Sequence, residues 1–130
     1  MKYRLLIFFV FISGLGKAQS YNRETNNNKT YNDSTAKVEI YTIYELLKHG
    51  EKFDNMAIKF SQDPGSYKEG GALRPSTMEG YVGEYRNIVL NLSIDEISIP
   101  FKTEYGYHIV QLISKKDDVY GTRHILLRID

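Results

Sequence analysis

Apolar residues first fall into register at Ala36, and Ala36, Ile40, Ile43, Tyr44 and Leu47 then repeat at the spacing of one helical face. Ser34 or Thr35 can cap this helix, and Gly50 supplies a left-handed stop. Phe53, Met56, Ala57 and Phe60 follow at i, i+3, i+4 and i+7, which predicts a second amphipathic helix. SQDPGSYKEGG, residues 61–71, is rich in turn formers and reads as a loop. Tyr81, Tyr85, Ile88 and Val89 share a face in a third helix from about 81 to 90.

The period then changes. ISIPF at 97–101 and YHIVQLI at 107–113 read as strands separated by KTEYG, whose glycine suits a hairpin turn. A further strand runs from Arg123 to Ile129, with His124, Leu126 and Arg128 on one side and Ile125, Leu127 and Ile129 on the other. Helices first and strands afterwards predict an α+β layer fold, a small antiparallel sheet flanked by about three to four helices. No internal repeat of solenoid length is present.

Ahead of the first helix, MKYRLLIFFVFISGLGKAQS places Lys2 and Arg4 before the apolar run Leu5 to Ile12, then small residues. That is the order of a secretory signal peptide, and the run is too short for the about 20 apolar residues of a membrane span. Residues 1–18 are therefore expected to be a signal peptide and the mature chain to carry no integral membrane span. Losing them removes Lys2, Arg4 and Lys17 and no acid, so the net charge moves from +1 to −2. Such a surface has no basic field for nucleic acid. Residues 19–34, with five asparagines and almost no aliphatic side chain, read as a flexible polar tether. Cysteine is absent, so no disulfide framework holds the fold. His49, His108 and His124 lie far apart without zinc-type spacing, and neither a metal site nor a cofactor is expected. His49, beside Gly50, reads as a helix-end residue that complements the dipole.

Candidate chemistry narrows to three residues, since phosphate loops, nucleophile elbows and helix-spaced carboxylate pairs are lacking. Asp63 sits in the loop after the second helix, and His108 and His124 lie within strands. Taken singly, Asp63 reads as an Asx-turn residue and each histidine as a hydrogen-bonded strand residue.

Their surroundings point further. FSQDPGSYKEGGAL at 60–73, followed by NLSIDEISIPFKTEYGYHIVQLI at 91–113, resembles the parvulin family of peptidyl-prolyl isomerases, similar to the domains of periplasmic SurA-type and PrsA-type chaperones. Three pieces carry the likeness in order: F-S-x-D-P-G-S then G-G, the E-I-S-x-P-F turn, and the G-Y-H-I strand. The resemblance spans about residues 36–114 and implies an enzyme that rotates Xaa-Pro bonds without a covalent step. It implies Asp63, His108 and His124 as the catalytic polar cluster and Leu73, Tyr81 and Tyr85 as walls of the substrate's proline socket. The implied partners are unfolded or extended proline-containing polypeptides, met in the periplasm or cell envelope. Several positions depart from the family pattern. Ala72 lacks the usual acid, Arg74 and Pro75 alter the following segment, Tyr81 replaces a methionine, and Tyr105 is bulky where some relatives carry a small hydroxyl. The family's basic loop for phosphorylated substrates is missing, so a phospho-Ser/Thr-Pro preference is not supported.

The likeness also leaves a strand out of place. Parvulin domains begin with a strand resembling R-H-I-L, and here that pattern stands at 123–127, after the domain read at 35–114. The sequence resembles either a tandem protein without both ends or a domain permuted so that its first strand comes last. SKKDDVYGT, residues 114–122, is long enough to loop this strand back onto YHIVQLI as a hairpin, so residues 115–130 are expected to form a loop and terminal strand. Pairing in cis brings His124 to His108, whereas an unfilled sheet would dimerise by strand exchange or aggregate. Two functional classes follow: an exported prolyl isomerase, or a non-catalytic parvulin-like peptide-binding chaperone module, with a truncated relict of a tandem chaperone as a third reading.

Overall fold

A computed structural model describes residues 29–130, and the segment read as a signal peptide lies outside them. Helix α1, Asp33–Lys48, starts earlier than Ser34 or Thr35 would allow. Asn32 is the cap: its Oδ1 accepts from Thr35 N at 2.9 Å, and the Thr35 hydroxyl accepts from Asn32 N at 3.0 Å. Thr35 thus closes a reciprocal capping box from inside the helix. Tyr31, just before the cap, is buried in the same core as Ala36, so the end of the expected tether is packed structure. Ala36, Ile40, Ile43 and Leu47 form the buried face of α1. His49 caps its C-terminus, donating Nδ1–H to the Glu45 carbonyl at 2.7 Å, and Gly50 follows at φ +109°.

Helix α2, Phe53–Phe60, buries Phe53, Met56 and Ala57 against the same core. A 3₁₀ turn, Tyr67–Glu69, follows in the loop. Helix α3, Gly83–Leu90, starts two residues beyond the expected Tyr81, because Met78 at φ +73° turns the chain and Val82 is still extended. Its Tyr85 and Val89 enter a second core with Met78, Val110, Leu112 and Tyr120. No helix among the described residues is long and apolar enough to cross a membrane.

The sheet runs in the order β1 (Phe101–Thr103), β2 (Gly106–Lys116), β3 (Val119–Arg128), all antiparallel. ISIPF is not a full strand: Pro100 has no N–H for a ladder, and Ile97 makes only an isolated bridge to Gln111. The expected loop at 114–122 is a turn of only Asp117 and Asp118, with both strands extended to meet it. The segment SKKDDV is polar because a projecting hairpin tip has nothing to bury, and composition cannot separate that from a loop.

β3 pairs in cis with β2, with Val110 opposite His124 and His108 opposite Leu126. Directly paired residues share a face, so His108, Val110, Thr122, His124 and Leu126 point one way, while Tyr107, Ile109, Ile125 and Leu127 point toward α1 and α2. The outer edge of β3 is covered as well. Gln62 N donates to Leu126 O at 2.7 Å, His124 N to Gly71 O at 2.9 Å, Leu73 N to Thr122 O at 2.9 Å, and Ser76 and Tyr120 exchange backbone bonds at 3.0 and 2.7 Å. The C-terminal strand is therefore hydrogen-bonded along both edges.

Gly71 permits this approach. It sits at φ +87°, and a Cβ there would run into the His124 carbonyl. Gly71→Ala is expected to lower stability by about 2 kcal/mol from backbone strain and the displaced strand. Equilibrium urea unfolding reads the difference, and an unchanged midpoint would contradict the close packing of this edge.

Candidate active site

Asp63 leaves α2 on a short loop whose backbone it also organises. Its Oδ1 accepts from Gly65 N at 3.1 Å, an Asx turn, and its carbonyl accepts from Ser66 N at 3.2 Å and Tyr67 N at 3.1 Å. The second carboxylate oxygen faces the sheet, accepting Ser66 Oγ–H at 2.5 Å and His124 Nε2–H at 2.7 Å. The Asp63 side chain is 22% exposed and that of His124 8%. The hydrogen bond from His124, then those from Ser66 and Gly65 and the His124 charge, hold the Asp63 carboxyl well below the usual range, against the opposing cost of burial.

His108 lies diagonally across the sheet from His124, their rings stacked at 5.7 Å and 26°. His108 Nε2 bonds the buried Thr103 hydroxyl at 2.7 Å. Burial, reinforced by the charge of His124 and opposed by Asp63, pushes the pKa of His108 down to about 3, so the ring is neutral at physiological pH. The Nδ1 atoms of both histidines are buried without a hydrogen-bond partner.

Aromatic rings wall this polar row. Tyr85 stands edge-on to both histidines at 5.8 Å, and its hydroxyl meets Thr122 Oγ1 at 3.1 Å. Burial pushes the Tyr85 phenol far above its ordinary pKa. Phe101 stacks on His108 at 5.2 Å and 12°, and Tyr81 stacks on Tyr85 at 4.9 Å and 24°. Leu73, Tyr81 and Phe101 are half-buried around this cluster.

All six residues singled out in the sequence thus lie in one region, and Asp63, His124, His108, Tyr85 and Tyr81 form a continuous chain of contacts. Phe101, Thr103, Thr122 and Ser66 belong to the same network and were not singled out. Thr103 stands within the segment read as a turn, and only its burial beside His108 marks it. Tyr105, noted for its bulk, is 55% exposed, and the hydroxyl that meets His108 comes from Thr103. A separate groove of about 410 Å³, lined in part by Tyr44, Asn87, Ile88 and Ile97, shares none of these residues.

The family described as rotamase, the PPIC-type PPIase domain, matches residues 20–114. The chain belongs to this PPIC-type family. Three relatives carry the name chaperone SurA. That of Pseudomonas syringae pv. tomato is 38% identical over 74 residues, 57% of this chain and 17% of the relative. That of Aliivibrio fischeri is 39% identical over 85 residues, and that of Vibrio cholerae 35% over 86, each 65% of this chain and 20% of the relative. The matches thus span only about a fifth of the length of these relatives. The family match ends within β2, so the PPIC-type domain here takes the histidine that meets Asp63 from beyond the matched span.

The neutral His108 makes stability depend on pH. Its folded pKa lies below its ordinary 6.5, so between about 6.5 and about 3 the unfolded chain binds a proton that the folded chain refuses. The melting temperature is expected to fall as pH is lowered through that window, with the full contribution present above it. His108→Gln should flatten the slope. A parent and variant that melt in parallel from pH 7 to pH 4 would remove His108 as the cause.

Proposed function

We propose that this domain is a peptidyl-prolyl cis-trans isomerase of an exported protein, acting on Xaa-Pro bonds of unfolded or extended polypeptides in the periplasm or cell envelope. The observation that carries the reading is the short, largely buried Asp63–His124 hydrogen bond set against a wall of aromatic rings. Asp63, His108 and His124 form the polar side of the site. Leu73, Tyr81, Tyr85 and Phe101 form the apolar side that takes the proline ring.

The chemistry follows from amide resonance. In the planar bond, resonance places negative charge on oxygen and positive charge on nitrogen, and breaking it costs about 18–20 kcal/mol. Rotation withdraws that charge from the oxygen and returns a lone pair to the nitrogen. An anion beside the oxygen therefore disfavours the planar form more than the twisted one. Asp63 supplies the anion, because its hydrogen bonds keep it ionised. His124 orients it through Nε2, and neutral His108 packs behind His124 without adding a competing charge. No covalent intermediate and no cofactor enter this scheme.

The test is protease-coupled isomerisation of an Ala-Xaa-Pro-Phe peptide by residues 19–130. Turnover above the uncatalysed rate is expected, and a folded protein with none would overturn the reading. A second reading, peptide binding without turnover, is favoured by the Tyr81–Tyr85 stack, which narrows the socket, and by relatives named as chaperones. Peptide binding without isomerisation would select it.

A further inference from the structure

We propose that Ser66 is a positioning residue of the site: its hydroxyl locks the carboxylate of Asp63 to the strand that carries His124, and isomerisation slows when that lock is removed. The inference rests on the isomerase reading and adds to it the residue that fixes where the charge of Asp63 stands.

The local chain puts Ser66 within reach. Ser66 N and Tyr67 N both bond the Asp63 carbonyl, at 3.2 and 3.1 Å, so Pro64 and Gly65 form a corner and the third residue after Asp63 comes back beside it. Ser66 Oγ lies 2.5 Å from Asp63 Oδ2. An ionised carboxylate only accepts, so Ser66 donates its one hydroxyl proton to it. Ser66 is fully buried, and bulk water does not compete for that proton.

Ser66 is also tied to β3. Its carbonyl accepts from Gly71 N at 2.9 Å, Gly71 O accepts from His124 N at 2.9 Å, and His124 Nε2 bonds Asp63 Oδ2 at 2.7 Å. Asp63, Ser66, Gly71 and His124 thus close a ring of hydrogen bonds around the carboxylate, and the serine enters it through both its main chain and its side chain. Oδ2 holds two donors, Ser66 and His124, whereas Oδ1 takes Gly65 N at 3.1 Å. Gly65 is exposed on the same corner as Asp63 and gives the carboxylate no reference to the sheet. Removing the Ser66 hydroxyl opens the ring and leaves Oδ2 tied to β3 through His124 alone.

That tie matters because Asp63 stands on a loop and acts at a distance. An anion that disfavours the planar amide must hold its place and orientation, and a displacement of about 1 Å costs a large factor in rate. With His124 and Ser66 meeting one oxygen from two elements, the carboxylate neither swings about the imidazole nor follows the exposed corner. The Ser66 bond also assists that of His124 in keeping Asp63 ionised against the cost of burial.

The experiment compares the parent with Ser66→Ala and Ser66→Cys in the same isomerisation assay, with kcat and KM separated and melting curves fixing a temperature at which each is folded. Ser66→Ala is expected to lower kcat about fivefold to twentyfold with KM nearly unchanged, as for a group that acts through the rotated state. Ser66→Cys fills nearly the same space with a weaker donor and should fall between the two, and it carries the comparison if alanine unfolds the chain. A second readout needs no turnover: the imidazole Nε2–H resonance of His124, followed by proton–nitrogen NMR without substrate, is expected to shift in the variants because it shares Oδ2 with the serine. A folded variant with parental kcat, a loss confined to KM, or an unmoved His124 resonance would overturn the proposal while the isomerase reading stands. A parent that turns over nothing overturns the isomerase reading and takes this proposal with it.

Discussion

A chain shortened to end at Lys116 is expected to show no cooperative thermal transition. The deletion removes β3, and with it the buried side chains of Tyr120, Ile125, Leu126 and Leu127. Each is worth about 1.5–3 kcal/mol of burial, against a total stability of about 5–15 kcal/mol for a domain of this size. The loss is not only of area. Ile125 and Leu127 face α1 and α2, while Tyr120 faces α3, so both cores open at once. The backbone groups of Gln62, Gly71, Leu73 and Ser76 that now bond β3 would be left to water, and β2 would lose its longest partner. Far-UV circular dichroism followed through a thermal ramp measures the outcome. A shortened chain that melts like the parent would show that β3 is an appendage and not a central strand.

The parts of this fold that were legible in the sequence are those where burial repeats locally. Ile40, Ile43 and Leu47 announce α1, and Phe53, Met56 and Ala57 announce α2, because each helix buries one stripe. Boundaries were less legible. In the run NDST each residue type can cap a helix, and the choice of Asn32 depends on Tyr31 packing just before it, which an asparagine-rich surround conceals. The Asp117–Asp118 turn was hidden for a related reason: an exposed hairpin tip has no apolar face to give it a period.

The site was legible to a different depth. Residue by residue, Asp63 reads as an Asx-turn former, and it is one, through Gly65 N. Only the sheet register shows that its other oxygen is free to face a strand 61 residues later in the chain. The two histidines come together because each occupies an even-numbered position of an antiparallel pair, a relation fixed by register and invisible to composition. Thr103, Thr122 and Phe101 carry no such signal, because a threonine or phenylalanine in a β-rich stretch has an ordinary structural reason to be there.

Asp63→Ala is expected to lower kcat/KM for Xaa-Pro peptides by about 10²–10³, the scale of removing one preorganised electrostatic group. Three effects coincide in that substitution. The anion beside the amide oxygen disappears, His124 Nε2 loses its acceptor in a place where its side chain is only 8% exposed, and the turn loses its bond to Gly65 N. The second effect carries a stability cost of about 1–3 kcal/mol for an unsatisfied buried group, so activity must be compared at a temperature where the variant is fully folded. Asp63→Asn separates charge from geometry. It keeps an oxygen for Gly65 N or for His124 but carries no charge, and if the anion is what disfavours the planar amide it should lose nearly as much activity as alanine while regaining part of the stability. The comparison belongs above about pH 6.5, where His108 costs no stability; the ionisation of Asp63 itself changes little above about 4, because its folded pKa is depressed below its ordinary 3.8. Its contribution is present above that value and is lost only as pH falls through the lower, folded value. An asparagine variant with parental turnover would mean that Asp63 holds the loop and His124 in place, and that the rotated amide is stabilised by the aromatic wall instead.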